Sequence, residues 1–228
     1  MKFCFDCDDT LYDLSYPFKR TCKELLNIDE TTHDLESMYA TYRSCGDEIF
    51  DKIQDGTISI DESGIHRIRR MCEIYHIDVE EEMYCRFQKV YKSFQKEIFM
   101  SKILHDFFIA TKSELAILTN GQDEHQRMKL EALDVFKYFK KENVYTSGQL
   151  GFAKPDPRSF KTMFLNMNED ISDWYYIGDN YINDMEGAKK VGMKTIHFNR
   201  HHGSEGICSD YVVYSENELV KLLKKLEK

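Results

Sequence analysis

The stretch Phe5-Asp6-Cys7-Asp8-Asp9-Thr10-Leu11 decides the fold, because it places an acidic turn directly after an apolar run that begins at Phe3. A short apolar run bounded by turn residues is typical of a buried strand. In an open parallel sheet, ligands bind beyond the carboxyl ends of the strands. We therefore expect these aspartates to line a binding site and not only a solvated turn.

Further apolar runs, each followed by a turn and a helical pattern, predict an α/β fold built on a doubly wound parallel sheet. The runs are Phe3–Phe5, Leu115–Leu118, Val144–Tyr145, Trp174–Ile177 and Lys194–Phe198, with a short edge strand at Tyr211–Val213. The first two runs are separated by far more than the dozen or so residues of an ordinary crossover. Because the intervening sequence has helical spacing, we predict a helical cap over residues 14–98, inserted into a core of residues 1–13 and 99–228.

Asp6 and Asp8 are candidates for a nucleophile and a proton carrier. Two carboxylates two residues apart can divide phosphoryl transfer, since one attacks phosphorus and the other handles protons. Asp6, at the strand end, is the predicted nucleophile, and Asp8 the predicted general acid and base, which requires a pKa for Asp8 above that of Asp6. Thr10 is predicted to hydrogen-bond within the turn, to fix Asp8 and to lie near the substrate.

A second acidic segment, Gly178-Asp179-Asn180-Tyr181-Ile182-Asn183-Asp184, follows the fourth run. Carboxylate oxygens that converge from two strand ends favour Mg²⁺. Asp6 and Asp179 are the predicted direct ligands, with the main-chain oxygen of Asp8 as a third and Asp184 assisting. Asp184 could instead only cap the helix that follows.

Two further segments supply groups that can bind a phosphoryl group. Lys154, in a loop with Gly151, Pro155 and Pro157, can offset the charge between the nucleophile and the phosphoryl oxygens. In Thr119-Asn120-Gly121, the threonine hydroxyl and the two following amides can donate to phosphoryl oxygens.

Taken together, these four segments resemble the haloacid dehalogenase superfamily of phosphotransferases. The resemblance implies a sheet order of 5-4-1-2-3 and a helical type-one cap. It also implies roles for Asp6 with Asp8, for Thr119, for Lys154, and for Asp179 with Asp184. The segments around Thr119 and Lys154 are similar to the nucleotidase and phosphoglycolate-phosphatase-like branches. The implied activity is Mg²⁺-dependent hydrolysis of a small phosphomonoester through an aspartyl phosphate on Asp6.

Several other functions compete with this prediction. A phosphomutase could use every residue named above. A dehalogenase would have no use for a proton-shuttling carboxylate at Asp8. A phospho-receiver domain would usually lack the inserted cap and carry its acceptor aspartate on a later strand, and a silent binding module is disfavoured because the catalytic residue types are complete.

Composition limits the partners. A net charge of −9, with basic residues dispersed among acidic ones, disfavours nucleic-acid polymers, and no run is long and apolar enough to span a membrane. The odd cysteine count and the absence of an apolar leader-like segment favour the cytoplasm. We expect a small phosphorylated metabolite as partner and a monomer or small homo-oligomer.

Overall fold

Six parallel strands form one sheet in the order β3-β2-β1-β4-β5-β6. The computed structural model describes the backbone of residues 1–228 and every side chain except those of Asp47, Phe50 and Gln54. The strands are β1 (Lys2–Phe5), β2 (Glu114–Thr119), β3 (Val144–Thr146), β4 (Tyr175–Gly178), β5 (Lys194–Phe198) and β6 (Tyr211–Val213). This confirms the predicted doubly wound α/β class and the order 5-4-1-2-3, to which β6 adds an edge.

The sheet is apolar on both faces. Phe3, Cys4 and Phe5 of β1 are all fully buried, and Phe3 packs on Phe107 on one face while Cys4 joins a cluster with Trp174 on the other. Continuous apolar strands of this kind are expected in a parallel sheet covered by helices on both sides. Trp174 itself lies one residue before β4, so this predicted strand begins one residue later than expected.

The chain divides into two compact units, Met1–Asp13 with Ile98–Lys228, and Leu14–Glu97. The first unit contains the sheet, and its helices are α6 (Lys102–Ala110), α7 (Asp123–Ala132), α8 (Ser147–Leu150), α9 (Pro157–Met167), α10 (Gly187–Lys189) and α11 (Glu216–Leu226). The second unit is helical, with α1 (Ser15–Thr21), α2 (Leu35–Asp47), α3 (Phe50–Gln54), α4 (Ile60–Ile74) and α5 (Glu81–Phe94).

The helical unit has an aromatic core of its own. Tyr42 of α2 packs against Phe18 of α1 with ring centroids 5.0 Å apart, and against Tyr91 of α5 at 5.8 Å. Helix α4 begins with a capping box in which the side chains of Ser59 and Glu62 each accept a backbone N–H. Among the described residues, no helix is both long enough and apolar enough to cross a membrane.

Strand register brings the predicted site segments to one edge of the sheet. Phe5, the last residue of β1, pairs with Ile117 of β2 on one side and Ile177 of β4 on the other. The Asp6 amide continues this ladder by donating to the carbonyl of Ile177 at 2.8 Å. Because the three strands run in parallel, the residues that follow them emerge at the same edge.

Candidate active site

Three carboxylates from two strand ends lie together at this edge. Asp6 follows β1, and Asp179 and Asp184 follow β4; one oxygen from each lies within 4.8 Å of the other two. Asp6 and Asp184 are 6% and 1% exposed, whereas Asp179 is only half-buried, so water reaches the group from the Asp179 side. Carboxylates this close repel each other unless a cation balances them.

Lys154 supplies one such positive charge. Its Nζ donates to Oδ1 of Asp6, to Oδ1 of Asp184 and to the hydroxyl of Tyr176, each at 2.7 Å. The lysine is held from behind by Asn120, whose side chain donates to the Lys154 carbonyl and accepts from its amide, both at 2.8 Å. Two backbone contacts of this kind fix the start of the side chain, so Lys154 is a positioned charge.

The three carboxylates together carry more negative charge than the single positive charge of Lys154 can balance. Burial, together with the charges of Asp184 and Asp8, raises the pKa of Asp6 to about 6, although Lys154 opposes the shift. Burial would lower the pKa of Lys154, but Asp184 and Asp6 outweigh it and raise the pKa. One lysine among three close carboxylates leaves a hard-oxygen site that fits a divalent cation such as Mg²⁺.

The segment after β4 is shaped around Asp184. Its Oδ2 accepts the Asn180 amide at 2.9 Å, and a Cβ placed on Gly178 would lie only 2.3 Å from that oxygen. Only glycine at 178 therefore leaves room for the carboxylate. The N-cap of the following helical turn is Asn180, whose side chain accepts from the Asn183 amide at 2.9 Å. Asp184 accepts the Asn180 amide and also contacts Lys154, so it does more than cap this turn.

Asp8 lies in a separate set of contacts. Lys129 Nζ donates to both of its carboxylate oxygens at 2.8 Å, the Tyr12 hydroxyl donates at 2.6 Å, and Gln126 Nε2 donates at 3.2 Å. Burial alone would raise the pKa of Asp8, but Lys129, Tyr12 and Gln126 outweigh it and lower the pKa. The predicted order is therefore wrong in this structure, since the pKa of Asp8 lies below that of Asp6.

Thr10 does not fix Asp8. Its hydroxyl is buried and has no hydrogen-bond partner among the described residues, while its amide donates to the Cys7 carbonyl at 3.3 Å. The prediction that Thr10 hydrogen-bonds within the turn therefore holds for its amide, whereas the prediction that it fixes Asp8 is wrong. The reason is that stronger donors from elsewhere in the fold already occupy the carboxylate.

The segment Thr119-Asn120-Gly121 is only partly available to a phosphoryl group. Thr119 ends β2 at the same sheet edge, as predicted. The Gly121 amide donates to Ser147 Oγ at 2.9 Å, so its use as a phosphoryl donor would require that contact to be exchanged and stays a prediction. The side chain of Asn120 holds Lys154, a role that the sequence analysis did not foresee.

Comparison with known protein families identifies the family of this chain. A profile described as haloacid dehalogenase-like hydrolase matches residues 3–198, which is most of the chain. The chain belongs to the haloacid dehalogenase-like hydrolases. The resemblance inferred from the four segments is thereby confirmed.

Curated relatives of this family member are named as phosphatases. The chain is 37% identical over 84 residues to a glyceraldehyde 3-phosphate phosphatase of Pyrococcus abyssi. The aligned segment covers 37% of this chain and 34% of that protein. A pyrimidine 5'-nucleotidase, PynA of Streptococcus pneumoniae, is 25% identical over 97% of this chain and 94% of its own length. The chain spans about a third to a half of the length of the first curated relatives it matches.

Solved structures share the same fold. The HAD-hydrolase YfnB of Bacillus subtilis, in its magnesium-bound orthorhombic form, aligns with a TM-score of 0.70 and 23% identity over 97% of each chain. A dehalogenase structure aligns with a TM-score of 0.74 and 19% identity, over 97% of this chain and 96% of that one. At these identities the likeness extends to the fold alone.

Two features of this HAD-like hydrolase's site were missed from sequence. Lys129 and Gln126 are three residues apart on α7, a spacing that places both on one helix face, so the pair could have been found by asking which α7 face turns toward the sheet edge. No comparable sequence pattern points to Tyr176. Within the run Trp174–Ile177 it is indistinguishable from a core aromatic, and only the structure shows its hydroxyl between Lys154 and the Leu118 carbonyl.

Proposed function

We propose that this chain is a Mg²⁺-dependent phosphatase that hydrolyses a small phosphomonoester through an aspartyl phosphate on Asp6. The observation that carries the proposal is the group of Asp6, Asp179 and Asp184, in which Asp6 and Asp184 are buried and both contact Lys154. Phosphoryl transfer depends mainly on positioning and on stabilising negative charge, and this group is suited to both. The phosphatase names of the curated relatives support the same reaction class.

In the first step, a carboxylate oxygen of Asp6 attacks phosphorus and the bond to the alcohol oxygen breaks, which leaves the phosphoryl group on Asp6. With a pKa of about 6, Asp6 is mostly ionised at neutral pH and can act as the nucleophile. Lys154 stabilises charge on the phosphoryl oxygens without moving, because Asn120 and Tyr176 already hold it. A bound Mg²⁺, held by Asp6, Asp179 and Asp184, would supply Lewis-acid stabilisation of the same oxygens.

In the second step, water attacks phosphorus, the bond to Asp6 breaks, and Asp8 accepts the proton of the water. Asp8 is ionised in this structure and can accept that proton, but the three donors that hold it as an anion also make it a weaker base. To protonate the alcohol in the first step, Asp8 must itself carry a proton, so substrate binding has to raise the pKa of Asp8 from its lowered state. A phosphomutase, the main alternative, could use every one of these residues, whereas a dehalogenase on this fold has no need for Asp8.

A phosphate-release screen tests this proposal. The substrates are glyceraldehyde 3-phosphate, phosphoserine, phosphoglycolate, N-acylneuraminate 9-phosphate and pyrimidine 5'-nucleotides, each with Mg²⁺ and with EDTA. We expect Mg²⁺-dependent release by the wild type and a loss of about 10⁴-fold or more in Asp6→Asn, because the nucleophile is removed. Asp106→Asn, which changes an exposed aspartate paired with Lys102, is the matched control and should keep full activity.

Two results would contradict the proposal. Undiminished phosphate release by Asp6→Asn would exclude an aspartyl phosphate on that residue. Isomerisation of a sugar phosphate, dependent on a sugar bisphosphate and without phosphate release, would indicate a phosphomutase instead.

A further inference from the structure

The Lys129 side chain is an unusual feature of the first unit. It is only 4% exposed, whereas lysines are rarely buried unless they are paired. Among the residues that the structure describes, Asp8 is the one carboxylate within ion-pair distance of Lys129. The burial of Lys129 therefore depends on this single partner.

The contact is geometrically specific. Lys129 Nζ lies 2.8 Å from each Asp8 oxygen and so faces the carboxylate symmetrically. Tyr12 then approaches Oδ1 at 2.6 Å and Gln126 approaches Oδ2 at 3.2 Å. With one neutral donor on each oxygen and a charged donor shared between them, the carboxylate plane is held in a defined orientation.

Helix α7 also links this orientation to the neighbouring strand end. Gln126 Nε2 donates both to Asp8 and to the carbonyl of Asn120, at 2.8 Å for the latter. Asn120 in turn holds the backbone of Lys154. Helix α7 thus contacts Asp8 directly, and it contacts Lys154 through one intermediate residue, Asn120.

We infer that Lys129 is a positioning residue for Asp8: it orients the carboxylate that carries protons, and it acts on the reaction only through that carboxylate. This inference rests on the proposed function. It assigns the two buried lysines of the site to different tasks, Lys154 to the phosphoryl group and Asp6, and Lys129 to Asp8. Neither the four sequence segments nor their spacing points to Lys129.

A double-mutant cycle with Asp8→Asn tests the inference. If Lys129 acts through Asp8, Lys129→Met lowers kcat in the wild-type background but has no further effect once Asp8 is already lost. We expect a loss of about 10- to 100-fold in kcat, part of the 10²- to 10⁴-fold that a general acid or base contributes, with KM changed little. In the Asp8→Asn background the same substitution should change kcat by less than about 2-fold.

The assay uses the alkyl phosphomonoester with the highest kcat/KM in the screen above, with enough enzyme to measure Asp8→Asn. Lys129→Arg, which keeps a charged donor, should recover most of the lost kcat. Lys189→Met is the matched control, because Lys189 also contacts both oxygens of one aspartate, Asp210 at 2.6 and 2.7 Å, outside the site. We expect its kcat to match the wild type.

The outcomes separate the two proposals. Equal fold-losses of Lys129→Met in both backgrounds, or no loss in a folded Lys129→Met protein, would overturn the positioning role while leaving the phosphatase proposal intact. A wild type inactive toward the whole panel would overturn the proposed function itself. If circular dichroism shows that Lys129→Met is unfolded at the assay temperature, Lys129→Gln takes its place in the cycle and the same criteria apply.

Discussion

The surroundings of Asp6 and of Asp8 differ sharply, although the two residues are two positions apart in one loop. Asp6 shares Lys154 with Asp184 and lies close to Asp179, so it has more negative than positive neighbours. Asp8 has Lys129 to itself, together with two neutral donors. The pKa of Asp6 is consequently raised to about 6, while that of Asp8 is lowered.

This difference shows that burial alone does not decide the charge state of a carboxylate. Burial is the largest influence on both residues and acts in the same direction on both, by raising the pKa. The number of partners and the sign of their charges decide whether the pKa is finally raised or lowered. One lysine shared between two carboxylates does not offset the effect of burial on the pKa of Asp6. One unshared lysine and two further donors together outweigh the effect of burial on the pKa of Asp8.

The largest expected effect comes from removing the two lysines. Lys154→Met leaves Asp6 and Asp184 buried without a cation, and we expect it to lower the free energy of unfolding by about 3–5 kcal/mol. Lys129→Met removes a partner from one carboxylate, whose side chain is 22% exposed, and should cost less, about 1–3 kcal/mol. Urea unfolding in EDTA measures both values.

The Lys189→Met control should cost less than about 1 kcal/mol, because its ion pair is partly exposed. An equal cost for Lys154→Met and Lys129→Met would break the comparison, since it would mean that the sharing of Lys154 has no consequence.

Neutralising the two aspartates should have opposite effects on stability. A pKa raised from 3.8 to about 6 means that the stability associated with Asp6 is fully present below pH 3.8 and is lost as the pH rises through 6. In EDTA at pH 8, Asp6→Asn should therefore be more stable than the wild type by up to about 3 kcal/mol, and the gain should shrink toward acid pH. Asp8→Asn should be less stable than the wild type at pH 8, because a lowered pKa stabilises the fold above its ordinary value of 3.8.

Thermal unfolding at pH 8, 6 and 5 gives these differences directly. The comparison would fail if both variants shifted stability in the same direction at pH 8. A gain for Asp6→Asn that stayed constant between pH 8 and 5 would likewise exclude the ionisation of Asp6 as its cause.

The smallest expected effect concerns Tyr176, which lies on the Asp6 side of the comparison. Tyr176→Phe removes the acceptor of one Lys154 hydrogen bond and the donor to the Leu118 carbonyl, both at 2.7 Å. We expect a loss of about 1–2 kcal/mol in stability and a several-fold drop in kcat, because Lys154 keeps its two carboxylates but loses part of its orientation. Tyr175→Phe, one position away on β4, is the control for packing and should leave kcat unchanged.

Much of the fold could be predicted because it depends on local pattern. The runs that became β1 to β6 are apolar, short and bounded by turns, and their alternation with helical segments is sufficient to predict a parallel sheet. The carboxyl ends of such strands meet at one edge, and the strand order that the family resemblance implies places β4 beside β1, so the convergence of Asp6 with Asp179 and Asp184 could be expected. The predicted cap over residues 14–98 and the observed helical unit, Leu14–Glu97, differ at one end by one residue.

The wrong predictions concerned contacts and charge states within the site. The role of Thr10 beside Asp8 and the pKa order of Asp6 and Asp8 were assigned from neighbours in the chain, but the groups that contact Asp8 and the Gly121 amide include distant residues. Ser147 takes the Gly121 amide and Lys129 takes Asp8, from 26 and 121 positions away. No local pattern encodes such pairs, because they depend on how α7 and α8 are placed against the sheet edge.

The sequence by itself determined which chemical groups would meet, since strand periodicity sets them at the carboxyl edge of a parallel sheet and the family resemblance implies a strand order that places residues 6, 154, 179 and 184 together. The tertiary structure alone decided how charge is shared among them. Ionisation depends on distances of a few ångströms and on how many carboxylates each lysine serves, and these quantities exist only once α7, the loop of Lys154 and β4 have packed around the turn after β1.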